Sequence, residues 1–350
     1  MSLHFIFGRA GTGKTTRCCR EIRDYLKKTP GGRAYLLVPD QGTYTAEYLL
    51  AKSFPGAGFI DVTVCGFSRR AYRVFQELHS PVADALSPLG QQIILRRLLD
   101  AHKDELQVIL RAASQPHFSE KLTAFFHQLD MFLVTEDDLL AASQREGETP
   151  LGKKLADLSL LYKAYHDYLR MHFAYEGSLF DLLAREIPKS KKLRGSHIWI
   201  DGFNGMAPQK IRIVSALVHT AEEVTMTLQM DSPEEAAENP NFARPYQLYS
   251  QMQGAIRHSS SIVLTEEKRF RTSDLSLMAR HFFERHARPR PEDGRAKEGL
   301  HLITAESPKE EVDLISRTIT SLVRDKGLRY RDILILSRTP ENYSDLFTRS

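Results

Sequence analysis

The sequence predicts an α/β fold: a parallel sheet built from alternating strands and helices, interrupted by an all-helical insertion and followed by the start of a second sheet unit. Three observations carry this. Short apolar runs alternate with helical patterns three times in the first 78 residues, and the alternation resumes at His197. The stretch between them has three- and four-residue apolar spacing and no strand pattern.

Taken in order, Leu3 to Phe7 reads as the first strand, followed by the turn GRAGTGKTT and a helix to about Lys28. Ala34 to Val38 is the second strand and ends in PDQGTYTAE, where Pro39-Asp40 and Gly42 signal a turn ahead of another helix. The alternating Asp61 to Cys65 is the third and leads into GFSRRAYRVFQEL. Residues 81–194 form the inserted block, where LGQQIILRRLLDAHKDELQVIL and LADLSLLYKAYHDYLRMHF predict part of a set of four to six helices. The basic segment PKSKKLRG (188–195) reads as a linker closing it.

His197 to Ile200 and Val224 to Leu228 then continue the first sheet, so residues 1–80 and 195–285 make one domain around the insertion. Residues 286–299 are polar and rich in Pro and charge, as a linker is. Beyond it, Leu300 to Thr304 and Asp332 to Ser337 read as strands on either side of a helix at Pro308 to Val323. Residues 300–350 are therefore the start of a second α/β domain, and a chain stopping one strand–helix unit into a domain points to a longer protein.

Composition excludes several classes. With 42% hydrophobic and 26% charged residues over 350 positions, the chain is neither disordered nor low in complexity. No apolar run approaches a membrane span, and the opening MSLHFIF lacks the flanks of a signal peptide. Three cysteines cannot make a disulfide framework, and the thirteen histidines show no metal-ligand spacing. Cys18 and Cys19 read as packing residues, and the expected location is the cytoplasm, with no membrane partner. A net charge of +4 permits nucleic-acid binding through local patches without demanding it.

The sharpest motif is Gly8-Arg9-Ala10-Gly11-Thr12-Gly13-Lys14-Thr15, continued by Thr16, between a strand and a helix. Its glycines let backbone amides wrap a phosphate, Lys14 reaches the terminal phosphates, and Thr15 suits a Mg²⁺ ligand. The pattern predicts a nucleoside triphosphate site. Such a site needs a carboxylate from a neighbouring strand for the metal, and Asp201 at the end of HIWID is the candidate; its alternative role is to cap the turn Gly202–Gly205. Where a motor places a Glu base after that Asp, this sequence has Gly202, and losing a positioned base costs about 10²–10⁴ in rate.

The next two strand ends carry Gln41, Thr43 and Tyr44, then Phe67, Arg69, Arg70, Tyr72 and Arg73. Rings that stack bases beside arginines that pair with phosphates are the usual means of holding a single strand. Each alone has an ordinary reading, Phe67 as core and the arginines as solvated surface. Arg338, ending the strand of the second unit, is the candidate stabiliser of a transferred phosphoryl group.

The ordered set GRAGTGKT, VPDQGTYTAE, TVCGFSRRAYRV, WIDGF and ESPKEEVDLISRTITSLVRDKGLRYRDILILSRT resembles a superfamily 1 helicase of the UvrD type. More narrowly it resembles the N-terminal part of the B subunit of AddAB-type helicase–nucleases. That resemblance covers the whole chain and implies a RecA-like, phosphate-loop NTPase fold with the start of a second RecA-like domain. It implies a bacterial, nucleoid-associated complex that binds single strands and duplex ends, processes double-strand breaks for recombinational repair, and pairs this chain with an A subunit carrying the main motor. It also implies ATP and Mg²⁺ as cofactors, with an iron–sulfur cluster and nuclease Mg²⁺ in a further C-terminal domain. Asp201 and Arg338 take catalytic roles under it. Gln41, Thr43, Phe67, Arg69 and Tyr72, with Phe203 as a weaker member, fall on the motifs that contact the strand and help read a regulatory sequence.

Departures from the motor pattern are Asp201-Gly202 in place of Asp-Glu, MTLQMDSPEE with Asp231 but no Gly-Asp-x-x-Gln, and no adenine-selecting Gln ahead of the loop. The alternatives are a competent translocase whose base comes from elsewhere, a small-molecule kinase on the same loop, and a scaffold that uses nucleotide for stability. The long helical insertion and the second α/β start count against the kinase.

Overall fold

The computed structural model describes residues 2–54, 61–80, 87–113, 115, 117–173, 179–256, 258–270, 272–281 and 299–349, in two units, Met1–Arg269 and Phe270–Ser350. The first unit opens with β1 (Ser2–Gly8), α1 (Lys14–Lys28), β2 (Ala34–Leu37), α2 (Thr43–Ser53), β3 (Val62–Cys65) and α3 (Phe67–Leu78). Six helices follow: α4 (Pro88–Ala101), α5 (Leu110–Ala113), α6 (Phe118–Phe132), α7 (Glu136–Glu146), α8 (Pro150–Phe173) and α9 (Leu179–Glu186). The sheet resumes with β4 (His197–Ile200), α10 (Pro208–Thr220), β5 (Glu223–Leu228), α11 (Pro233–Glu238), α12 (Ala243–Ala255) and β6 (Ser259–Leu264).

The six strands are ordered β3-β2-β4-β5-β1-β6 and every pair is parallel. Parallel strands are buried on both faces, which is why β1, β2, β4 and β5 are near-continuous apolar runs. One face packs α1 and α2 through Cys18, Cys19, Ile22, Ala46 and Leu50 against Ile6, Leu36 and Trp199. The other carries α3, α9, α10 and α12 through Phe75, Leu183, Val214, Leu217 and Met252 against Phe5, Phe7, Ile198 and Met226. Burial pushes the Cys19 thiol up to about 11 and the Cys18 thiol well above its ordinary value, so both remain protonated packing groups. β6 was not expected from the sequence. It is an edge strand beginning with three serines and mostly exposed, so it lacks the apolar signature of its neighbours.

The helical block has its own core, in which Leu95 and Leu99 of α4 meet Phe126 of α6 and Leu161, Tyr162 and Tyr165 of α8. One buried carboxylate organises its loops. Asp157 of α8 accepts hydrogen bonds from the amides of Gln107, Val108 and Ile109 at 2.8 to 3.1 Å, which supplies the unsatisfied donors leading into α5. The last helix departs from the expected organisation: Leu183 of α9 and the following Ile187 belong to the sheet core, not to the block.

Segment 188–195, read from sequence as a linker, is fixed in place. Leu193, Ser190 and Ser196 are fully buried within and beside it. Glu77 at the end of α3 accepts from the Ser190 hydroxyl at 2.7 Å and the Lys192 amide at 2.9 Å, so the chain's exit into the insertion is tied to its return. Burial alone would raise the Glu77 carboxyl, but these bonds outweigh it and hold the group below its ordinary range.

The second unit contains α13 (Ser273–His281), α14 (Pro308–Lys326) and α15 (Ser344–Arg349). The Ser307 hydroxyl accepts from the Glu310 amide at 3.3 Å and caps α14. The strands expected at 300–304 and 332–337 are not formed: neither run joins a ladder among the described residues, and Leu302, Leu334 and Leu336 are 95%, 79% and 85% exposed. Apolar alternation makes a run fit for a sheet, but a strand exists only where a neighbour takes its hydrogen bonds. Of the expected linker, residues 286–298 lie outside the described residues.

Asp157→Ala is predicted to cost the full chain about 2–3 kcal/mol of unfolding free energy, the upper range for hydrogen bonds to a charged acceptor. Asp157→Asn should cost less. Urea denaturation measures both, and an unshifted midpoint for Asp157→Ala would contradict the role given to this carboxylate.

Candidate functional site

Because the sheet is parallel, the loops after β1 to β5 all open on its carboxyl edge, where ligands bind in such sheets. The loop after β1 reaches α1 through Gly13, whose φ of 87° lies in the left-handed region that a side chain disfavours. Lys14 Nζ donates to the carbonyls of Gly8 at 2.7 Å and Arg9 at 2.9 Å, so the ammonium sits over the mouth of the loop. Burial pulls this ammonium down to about 8, partly offset by the Asp201 carboxylate and reinforced by the charge of Arg269.

Asp201, the residue after β4, is buried with both oxygens occupied. The Thr15 hydroxyl donates to one at 2.7 Å and the Thr227 hydroxyl of β5 makes a short hydrogen bond to the other. The Asp201 amide donates to the Leu37 carbonyl at 2.9 Å. Thr15 and Asp201 are thus an oxygen pair at the head of a helix, beside a cation and a pocket of about 330 Å³. Among the described residues no group of three or more His, Cys, Asp or Glu is gathered for a metal. Mg²⁺ does not need one, since it keeps most of its waters and takes one or two carboxylates beside a substrate phosphate.

Arg9 departs from the other loop residues. Its guanidinium grips Asp231 after β5, with Nε at 2.7 and 3.0 Å and Nη2 at 2.6 Å, and lies 5.5 Å from the centre of the Phe242 ring. Its side chain anchors the loop to the β5 turn instead of facing the pocket. The motif could not reveal this, because the partner lies 222 positions away. Sequence reasoning also missed Gln229 and Arg269, which line the same pocket. Gln229 directly follows β5, a signal that was available. Arg269 follows the unexpected β6, on a segment held to the loop by the Lys268 amide donating to the Gly11 carbonyl at 2.9 Å.

A second pocket of about 250 Å³ lies at the ends of β2 and β3, lined by Gln41, Phe67, Phe203 and Lys210 among others. The rings of Phe67 and Phe203 are 5.5 Å apart and only 3% and 9% exposed, so they form its inner wall and present little free face. Phe203 lines both pockets. Thr43 donates its hydroxyl to the Asp40 carbonyl at 3.0 Å at the start of α2. Arg69 and Tyr72 project from α3 into solvent. Arg70, grouped with them in sequence, is buried with its guanidinium 4.5 Å from the Tyr35 ring centre. Arg338 belongs to the second unit, exposed at a bend. No described helix is long and apolar enough to cross a membrane.

A family model described as ADDB, N-terminal, matches residues 5–279. The B subunit of the ATP-dependent helicase/deoxyribonuclease of Pelotomaculum thermopropionicum is 35% identical over 362 residues, covering 99% of this chain and 31% of that protein. The proteins of the same name from Desulforamulus reducens and Bacillus subtilis are 34% and 33% identical, again over 99% of this chain and 31% of theirs. The chain thus spans under a third of the length of these relatives.

Gly202, the residue standing where a base is expected, has φ 81°, and a side chain there would touch Pro39 Cδ at 3.4 Å. Gly202→Ala is therefore predicted to destabilise the chain by about 1–2 kcal/mol, the cost of the left-handed region for an L-residue. Thermal unfolding checks this, and a variant as stable as the parent would show that the turn relaxes freely.

Proposed function

The chain belongs to the ADDB N-terminal family, and from that membership and the geometry of the loop we propose that it is the ATP-binding, single-strand-binding, helicase-like part of a helicase–nuclease subunit. Under this reading the assembled enzyme pairs it with an A subunit, acts on duplex ends in the bacterial cytoplasm at the nucleoid, and processes double-strand breaks for recombinational repair. The observation that carries the ATP assignment is the meeting of Lys14, Thr15 and Asp201 at the head of α1. The loop carbonyls now holding Lys14 Nζ leave it poised to turn towards terminal phosphates, and Thr15 with Asp201 would hold Mg²⁺ and its waters. ATP with Mg²⁺ supplies a nucleotide-dependent change of state; the chain's own residues bind and orient it.

A regulatory role fits better than that of main motor. The position of a general base is occupied by a glycine whose backbone itself resists a side chain, so Gly202→Glu would meet strain before it met water. Gln41, Thr43, Arg69 and Tyr72, around the wall of Phe67 and Phe203, are the residues proposed to hold the strand. Gln41 and Thr43 offer directional hydrogen bonds to an unpaired base edge, while Arg69 meets phosphate.

Two measurements test these readings. Lys14→Ala should abolish binding of a labelled ATP analogue in a folded variant. In the parent, binding between pH 8 and 10 should take up a proton, because the empty site holds Lys14 near 8 and bound phosphates restore its charge. Affinity then falls as pH rises above 8. Calorimetry in buffers of different ionisation enthalpy reads the uptake, and undiminished affinity in Lys14→Ala would remove the phosphate-loop assignment.

The second concerns base reading. Gln41→Ala or Thr43→Ala should leave general strand affinity nearly intact and abolish the response of the assembled enzyme to its regulatory sequence. Arg69→Ala should weaken binding to all sequences alike and reduce its salt dependence. An intact sequence response in both of the first two variants would leave only nonspecific strand binding.

A further inference from the structure

The basic segment 188–195 takes no part in either pocket. Lys191, Lys192 and Arg194 precede β4, Arg33 precedes β2, and these strands are neighbours in register from Ala34 opposite His197. The four cations are therefore brought together at the amino edge of the sheet, opposite the nucleotide loop. Arg33 Nη1 donates to the Lys191 carbonyl at 3.3 Å, and the Tyr35 hydroxyl to the Lys192 carbonyl at 3.4 Å. All four side chains are exposed. Lys189 is engaged by Glu186 at 2.7 Å, but none of these four forms an ion pair with a described residue. α1 runs back from the phosphate loop and brings exposed Lys27 and Lys28 to the same edge.

Isolated surface lysines are usually no more than solvated. These differ in being held on fixed backbone. The buried Leu193, Ser190 and Ser196 fasten the segment, and the Glu77 carboxylate that reaches it is committed to hydrogen bonds with Ser190 and the Lys192 amide. Asp61, just ahead of β3, and Glu222 and Glu223, ahead of and opening β5, bound the patch, and both glutamates lie 3.7 Å from His197. Fixed like charges raise the local positive potential, which attracts anions and favours a multivalent one that meets several of them at once.

We propose that this amino-edge patch is a second DNA-binding surface, holding the phosphate backbone without reading sequence. It rests on the reading that the chain works on DNA, and it adds a surface on the far side of the sheet from the strand-reading loops. The regular negative charge of a nucleic-acid backbone matches this row of guanidinium and ammonium groups, and the rings at the edge are already engaged, Tyr25 stacked on His197 with centroids 4.0 Å apart and the Tyr35 hydroxyl on the Lys192 carbonyl.

The test uses the full-length protein in complex with its partner subunit and measures DNA affinity across a salt series. Arg33→Gln, Lys191→Gln, Lys192→Gln and Arg194→Gln are combined, with the corresponding Glu substitutions as a stronger second variant. The expected result is a fall in affinity of tenfold or more at low salt. The salt slope should shrink by about 0.7–0.9 for each phosphate that is no longer neutralised, with ATP binding and the response to base sequence unchanged. Unchanged affinity and slope in a folded complex would overturn the proposal. So would dissociation of the partner subunit at an unchanged slope, which would assign the patch to an acidic protein surface. Arg69→Ala serves as the reference at the other edge: if it too leaves DNA affinity unchanged, DNA binding by this chain fails as a whole, whereas a silent patch beside an active Arg69 refutes the patch alone.

Discussion

The carboxylate of Asp201 joins three segments that the chain keeps far apart. It accepts from Thr15 at the head of α1 and from Thr227 in β5, while its own amide is held by Leu37 of β2. A buried charge without such donors would cost several kcal/mol, so the arrangement is stable only when all the donors are in register. β4 has just four residues, and a one-residue slip would turn Asp201 to the other face of the sheet. The same carboxylate opposes the effect of burial on Lys14 and so favours its charged form beside the pocket. Strand register, loop shape and the charge of the site are therefore one problem with one solution.

The positions of most of the sheet could be read from sequence because central parallel strands are apolar on both faces. Leu3 to Phe7 and Val224 to Leu228 have no other sensible place. β6 escaped because an edge strand opening on Ser259, Ser260 and Ser261 looks like a loop. The opposite error arose at Leu300 to Thr304 and Asp332 to Ser337, whose alternation is real but whose hydrogen-bonding neighbours are not found among the described residues. At the site, Lys14, Thr15 and Asp201 were legible because local spacing specifies them. Arg9 was legible as part of the loop but not in its role, since its anchor Asp231 is remote in sequence. Phe67 and Phe203 show the limit of residue type: a sequence reveals a ring, and only packing reveals how much of its face is free.

The insertion is attached by the same economy of interactions. The helical block encloses its own core, and Glu77 clasps the returning chain close to the point where it leaves α3. α9 is placed by sequence with the block, yet packs on the sheet with α3 and α10. The sheet thus has a continuous apolar covering on that face, distinct from the core of the block.

The strand order also sets a timetable. β1 lies between β5 and β6, and its first pairing, Ser2 with Glu223, spans 221 positions. At synthesis rates of about 5–20 residues per second, β1 waits roughly 10–45 s for its first neighbour, β5, and longer for β6. Closing so long a loop is entropically costly and slow, whereas the helical block matures through interactions close in sequence. During that interval the loop after β1 has neither Asp201 nor Thr227 to hold it. The segments of the helical lobe therefore leave the ribosome before Asp201 and Thr227 do, and assembly of the nucleotide site must await closure of the sheet.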